Sequence, residues 1–457
     1  MPAIATSSKL VDQYTATFPG SKKRFEEAKA IFPCGVTHDT RMMDPFPVYV
    51  SHAKGSKKWD VDGHELIDYF VGHGSHILGH CPDDVVKAVQ DQMAKGTHPG
   101  SCHDLEIEWG RLVQKLIPSA EKVRFTGSGT EATLMALRLC RLHTGKPKFL
   151  KFQGHFHGWH DYVAVSADPP YDAPGVPGVP EAVSDVCVAI PPNDLNRVEE
   201  TLKKDEQIGA VILEPTGGHW GVVPIRGEFL KGLREITTRL NRVLIFDEVI
   251  TGFRISSGGA QKYYGVTPDL TALAKILAGG LPGGCLAGRA DVLAFIEPRP
   301  GKPKMKHPGT YNANPLSASA GIATLKRIAS GGVTERANET GRTLRNKLNR
   351  MLAANNFPWV AYGDFSMVRV IPNFTGERPA DSGDNDGFIP FGGDVNALDG
   401  PKSMKQVYAL RQGMLLHGVD WWGFAGMTSC EHTVADVDKT VAAMEATLGI
   451  MTAEGLG

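Results

Sequence analysis

Six short apolar runs constrain this chain more tightly than any other feature: 123–126, 149–152, 186–190, 210–213, 243–246 and 270–274. Each is too short for a buried helix, and helical stretches over 83–94, 104–116 and 131–143 are interleaved with them. Continuous apolar runs of this length are what strands buried on both faces look like. Parallel strands in turn need crossover helices between them. The alternation therefore predicts an α/β fold, a mostly parallel sheet wrapped by helices. Ligands on such sheets sit beyond the carboxyl ends of the strands, where the sequence places Thr126, Glu214, Asp247 and Lys275.

Those strand ends carry chemistry in combination. Lys275 precedes the glycine-rich Ala278-Gly-Gly-Leu-Pro-Gly-Gly284, and Asp247 closes the 243–246 run. In Thr126-Gly-Ser-Gly-Thr130, Gly127 and Gly129 let backbone amides approach an anion, while Ser128 and Thr130 offer hydroxyls. A helix starting at Thr130 and Glu131 turns its positive end toward the same point. Singly, these read as a buried strand-end lysine, a capping aspartate and a tight turn. Together they meet the needs of pyridoxal phosphate: an amine for its aldehyde, a carboxylate for its pyridine nitrogen and a grip for its phosphate. Neither Gly-x-x-x-x-Gly-Lys-[Ser/Thr] nor a well-placed Gly-x-Gly-x-x-Gly occurs, so nucleotide binding finds no support.

Composition narrows the setting. Forty-nine Lys+Arg against 50 Asp+Glu give a net charge of −1, so no global field recruits nucleic acid or an anionic membrane. No apolar run approaches the ~20 residues of a membrane span, and Met1-Pro-Ala-Ile-Ala-Thr-Ser7 lacks the features of a secretory signal. Seven cysteines without paired spacing point to free thiols, and the expected location is the cytoplasm. The expected organisation is an N-terminal segment over 1–70 that contributes to a small domain, a large domain over 71–325 and a C-terminal small domain over 326–457. Within the first segment, helix is expected up to about Cys34, with Phe25, Ala28 and Phe32 on one stripe. Short strands are expected at 48–50, 58–59 and 66–69, with an Asp62-Gly63 turn. The proline-rich stretch 167–180 reads as a lid or binding loop, and 372–401 as an acidic, glycine-rich insertion.

Six segments, in this order, resemble the class III aminotransferases. They are Thr126-Gly-Ser-Gly-Thr-Glu-Ala132, Gly154-His-Phe-His-Gly158, Glu214-Pro215, Asp247-Glu-Val-Ile-Thr-Gly-Phe-Arg254, Ala274-Lys275 and Gly309-Thr-Tyr-Asn-Ala-Asn-Pro315. Within that class the chain is similar to glutamate-1-semialdehyde aminomutases and D-phenylglycine aminotransferases. The latter likeness lies in Cys34-Gly-Val-Thr-His-Asp-Thr-Arg41, His157-Gly-Trp-His-Asp161 and 278–284. The resemblance implies a fold-type I homodimer with active sites shared across the interface and pyridoxal 5'-phosphate as cofactor. Lys275 would carry the cofactor, Asp247 would face the pyridine nitrogen, and His157 would belong to the cofactor site. Val249 and Phe156 would cover the two ring faces, and Glu214 would belong to the same cofactor site. Ser128, Gly129 and Thr130 would hold the phosphate, with Thr310 contributed by the neighbouring subunit.

For the substrate, the resemblance assigns Arg41 to a carboxylate. It places His73 where the aminomutases carry tryptophan, and Phe424 where they carry glutamate. The implied activity is transfer of an amino group from an amino acid, a D-arylglycine or another hydrophobic one, to a 2-oxo acid through pyridoxamine phosphate. An aminomutase or an amino acid racemase on the same fold is the alternative. A remoter one is a metal-dependent hydrolase using His155, His157 and His160, although Trp159 stands where such a motif needs an aspartate.

Overall fold

The computed structural model describes residues 8–172, 175–379, 381, 383 and 388–456. The N-terminal residues 1–7, the centre of the 167–180 loop (173–174) and most of the acidic stretch (380, 382, 384–387) lie outside the described residues.

A seven-stranded sheet forms the centre. Its order is Lys122–Thr126, Gly284–Gly288, Leu270–Ala274, Val243–Asp247, Ile208–Leu213, Lys148–Phe152 and Cys187–Ile190. The last five are mutually parallel, and every residue of Ile208–Leu213, Val243–Asp247 and Leu270–Ala274 is buried. A buried Val, Leu, Ile or Phe contributes about 1.5–3 kcal/mol, so these strands hold their carboxyl ends in fixed places. Gly284–Gly288, which the apolar pattern does not reveal, runs antiparallel between two neighbours and pairs Gly284 with both Thr126 and Ala274.

The N-terminal helices are Lys9–Thr17 and Pro19–Lys29. Phe25 and Ala28 are buried as expected, but the helix stops before Phe32, which is 41 % exposed. Pro33 disfavours helical backbone at Phe32 and accounts for that correction. The first small-sheet strand likewise starts at Val50 rather than Val48. Strands Val50–Lys54, Lys57–Asp60 and Glu65–Asp68 form an antiparallel meander, and Val419–Asp420 adds to it in parallel, Val419 opposite Ile67. A third sheet holds Trp359–Tyr362, Met367–Pro372 and Ala425–Met427. The helices Pro315–Ala329, Val333–Ala354, Met404–Leu416 and Val434–Ala453 supply most of the remaining chain beyond residue 314.

Arg254 ties these layers together. Its buried guanidinium donates to Ser366 Oγ at 3.0 Å, to the Thr428 carbonyl at 3.1 Å and to the Gly74 carbonyl at 2.7 Å. Among the described residues, no helix is long and apolar enough to cross a membrane.

Candidate active site

Adjacent parallel strands bring Asp247 and Lys275 to the same edge of the sheet. Asp247 pairs in register with Ala272, and Lys275 follows three positions later. Asp247 is 5 % exposed. His157 Nδ1 lies 2.8 Å from its Oδ2, and the Val249 N–H donates to its Oδ1 at 3.1 Å. Burial pushes the Asp247 carboxyl up to about 7, with the Val249 N–H and the Lys275 charge opposing. Burial also holds His157 well below its usual range, hence neutral, with the Lys151 charge adding to the effect. When Asp247 is ionised, the neutral ring donates Nδ1–H to it.

Lys275 sits at a backbone φ of 54°, in the left-handed region that costs a non-glycine residue strain and is common at functional positions. Burial lowers its amine pKa, and the Asp247 and Glu214 charges partly restore it. Among the described residues the amine makes neither hydrogen bond nor ion pair. A buried amine with a lowered pKa is the form able to take up a proton or attack a carbonyl.

The anion cradle lies opposite. Helix Gly129–Thr144 is capped by Ser128, whose Oγ accepts the Glu131 N–H at 3.3 Å, and Gly127 N donates to Glu131 Oε2 at 2.9 Å. A Cβ at Gly129 would sit 2.7 Å from Val249 Cγ2, so only glycine lets this turn close on the Asp247 strand. Gly158 is packed as tightly, its would-be Cβ 2.7 Å from Thr130 Oγ1. The loop carrying Phe156 and His157 is thereby pressed onto the start of the same helix, where Thr133 Oγ1 donates to the His157 carbonyl at 2.6 Å.

Glu214 acts through that loop. Its Oε1 accepts the Phe156 and His219 N–H groups, both at 2.9 Å, and its Oε2 accepts the Trp220 N–H at 3.1 Å. The structure thus assigns the carboxylate to positioning Phe156, which stacks on His219 with ring centres 6.0 Å apart and remains 46 % exposed. Thr310 lies exposed.

Arg41 and His73 line one cavity. His73, at φ 54°, stacks on His38 at 4.9 Å and meets Phe70 and Trp422 edge-on. Burial holds its pKa down at about 4, and the charges of His38, Arg41 and Lys275 add to that. Phe424, expected beside the substrate, instead packs edge-on against Trp359 in the core formed by the C-terminal helices. Trp422 takes the place beside His73. The Trp422–Ala425 bridge folds residues 423–424 into a turn, which leaves Phe424 against Trp359 and Trp422 against His73. Trp220, stacked on Trp422 at 5.3 Å, was also missed, because its left-handed backbone (φ 56°) follows no strand or helix period.

The histidine-rich segment does not gather as a metal centre. His155 Nδ1 accepts the Glu214 N–H at 3.0 Å, while His157 Nδ1 serves Asp247. Among the described residues no three His, Cys, Asp or Glu side chains are placed to hold an ion, so the hydrolase reading has no geometric footing.

The site fits pyridoxal phosphate on its own terms. It offers a buried carboxylate without a full counter-charge, an unpaired lysine amine, a half-exposed aromatic face and a turn that a Cβ would block. One consequence is testable without the cofactor. With its pKa raised from 3.8 to about 7, Asp247 favours the fold below the unfolded value, and that contribution is lost as pH rises toward 7. Cofactor-free Asp247→Asn should therefore gain on the native protein between pH 5 and pH 8, by on the order of a few kcal/mol. Denaturant titrations at the two pH values check this, and a pH-independent difference would refute it.

Comparison with known proteins agrees. The family described as Aminotransferase class-III matches residues 39–360. A glutamate-1-semialdehyde 2,1-aminomutase from Methanopyrus kandleri is 38 % identical over 450 residues, 96 % of this chain and 99 % of the relative. An omega-transaminase from Sphaerobacter thermophilus superposes with a TM-score of 0.82 at 32 % identity, covering 94 % of this chain and 97 % of that one. A transaminase solved with PLP bound superposes at 0.84 and 30 % identity, covering 96 % and 99 %. The fold is thus fold-type I, and the match runs through the cradle, the Asp247 strand and Lys275: this chain belongs to the class III aminotransferase family.

Proposed function

We propose that this protein is a pyridoxal-phosphate-dependent transaminase that moves an amino group from a hydrophobic or aromatic amino acid to a 2-oxo acid. The observation that carries the proposal is the unpaired Lys275 amine, just past the strand next to the His157-held Asp247 and opposite the Ser128–Thr130 turn. When bound, the cofactor supplies an aldehyde for amino groups and a ring that accepts electron density from the substrate α-carbon. The chain's own residues do the rest. Ser128, Gly129, Thr130 and the helix start would hold the phosphate, Phe156 and Val249 would flank the ring, and Asp247 would keep a proton on the ring nitrogen. Lys275 Nζ would serve as the base that takes the substrate α-proton and delivers it to the cofactor carbon on the other side of the amino nitrogen, a role that a lowered pKa favours near neutral pH. Thr310 is assigned to the neighbouring subunit's site in a homodimer, and a reducing cytoplasm suits seven free cysteines.

The substrate end favours a carboxylate next to an apolar group. Arg41 offers the anchor, and His73 and Phe70, with Trp422 packed against both, form an aromatic wall. A D-arylglycine fits that wall. The M. kandleri relative favours an aminomutase reading, while the aromatic rings around His73 favour a substrate with an apolar side chain. Scoring a panel of donors by conversion to the pyridoxamine form, with and without an added 2-oxo acid, separates the two. Turnover of glutamate-1-semialdehyde without a second carbonyl compound would overturn the transaminase reading.

Arg41 also yields a prediction. Native protein should convert amino acids at least about tenfold faster than the matching amines that lack the carboxylate, and Arg41→Ala should erase that ratio. Equal rates for acids and amines in the native protein would remove Arg41 as the anchor.

A further inference from the structure

The cavity that Arg41 and His73 line has a volume of roughly 480 Å³ and extends to Lys58, Asp68, Asp420 and Arg411. Lys58 is fully answered there. Its Nζ lies 2.9 Å from Asp68 Oδ1 and 2.5 Å from Asp420 Oδ2, and His80 Nε2 lies 2.6 Å from the other Asp68 oxygen.

Arg411 is not answered. It projects from helix Met404–Leu416 and is 8 % exposed, and its Nε is sealed from solvent without a partner. Among the described residues its guanidinium makes neither hydrogen bond nor ion pair. It rests on the face of Phe70, its Cζ 5.2 Å from the ring centre. Arg41 bonds only the Thr37 hydroxyl, at 2.9 Å. Three cations on the wall (Arg41, Lys58, Arg411) against two carboxylates (Asp68, Asp420) leave one positive charge uncompensated.

A buried arginine without a counter-charge is costly, and its planar fork is matched by a carboxylate. We propose that this cavity is an anion subsite in which Arg411 binds the carboxylate of a small organic acid. The carboxylate has two possible sources. It is the distal group of a dicarboxylic 2-oxo acid acceptor, which rests on the transaminase reading, or it belongs to a free organic acid held as an effector. Binding itself does not depend on that reading.

The test titrates the cofactor-loaded protein with glutarate, a dicarboxylate with no amino or oxo group, by calorimetry. Native protein should bind it, and Arg411→Met should weaken binding by about tenfold or more. Arg411→Lys, which keeps the charge and loses the fork, should weaken it several-fold and decides the matter should the methionine variant not fold. Glutarate should also raise the thermal midpoint of the native protein and not that of Arg411→Met. A rise in the ratio of KM for 2-oxoglutarate to KM for pyruvate in Arg411→Met assigns the carboxylate to the acceptor. An unchanged ratio with glutarate binding lost assigns it to a free ligand. If neither acid is transaminated, the transaminase reading fails while the glutarate titration still judges the subsite. No binding by native protein, or equal binding by native and both variants, overturns the proposal and leaves Arg411 a water-satisfied structural residue.

Discussion

Lys275→Ala is expected to lower turnover by about ten-thousand-fold or more and to remove the visible absorbance the native protein develops with pyridoxal phosphate. Two roles are lost at once, the amine that holds the cofactor and the base that carries the substrate proton, and each is worth orders of magnitude. The fold should persist, because the amine makes no hydrogen bond or ion pair among the described residues and alanine removes no packing between strands. Left-handed backbone at this position is no worse for alanine than for lysine. Borohydride reduction followed by peptide mapping locates the lysine that bears the cofactor. Label on Lys151, a buried lysine of strand Lys148–Phe152, would sink the assignment. Lys151 is an improbable carrier on geometry, since its amine donates to the Val163 and Val165 carbonyls at 2.9 and 2.8 Å.

The second large effect concerns Asp247→Asn. Cofactor should remain bound through the phosphate cradle, while turnover falls by roughly a hundred- to ten-thousand-fold. A neutral amide does not hold a proton on the ring nitrogen, so charge developing at the α-carbon has no sink. Abstraction of the α-proton then limits the rate, and the kinetic isotope effect with α-deuterated substrate should rise. The low-pH arm of the rate profile should change as well, because the native carboxyl sits near 7 before a cation faces it. Near-normal turnover would mean that another group partners the nitrogen.

The strand-end chemistry was legible because each residue stands at the end of an apolar run whose burial on both faces leaves it one place to be. Asp247, Lys275 and the Ser128 turn were found in this way. Gly284–Gly288 was not, since Gly284-Cys-Leu-Ala-Gly288 carries no β-branched residue. Its glycines are demanded by tertiary approach: a Cβ at Gly284 would lie 2.3 Å from the Ser128 carbonyl oxygen, and one at Gly288 2.4 Å from that of Asp269. The proposed substrate wall was legible only in part. Arg41 and His73 meet in one cavity, while the turn after Trp422 places Phe424 against Trp359. Arg411 gave no signal at all, because an arginine on a helix ordinarily faces solvent and only the tertiary structure encloses it.

The parallel pairing of Val419–Asp420 with Glu65–Asp68 has a consequence for biosynthesis. Strand Glu65–Asp68 finds its last partner some 350 residues later, and Ser56 and Tyr69 wait as long for Asp436 and Thr440. Closing so long a loop is slow, and domains complete in the order they leave the ribosome. A nascent chain that has just emitted residue 400 can therefore hold a finished cofactor-binding sheet beside an unfinished substrate wall. The first 70 residues would be the last to become resistant to protease, although they were the first to be made.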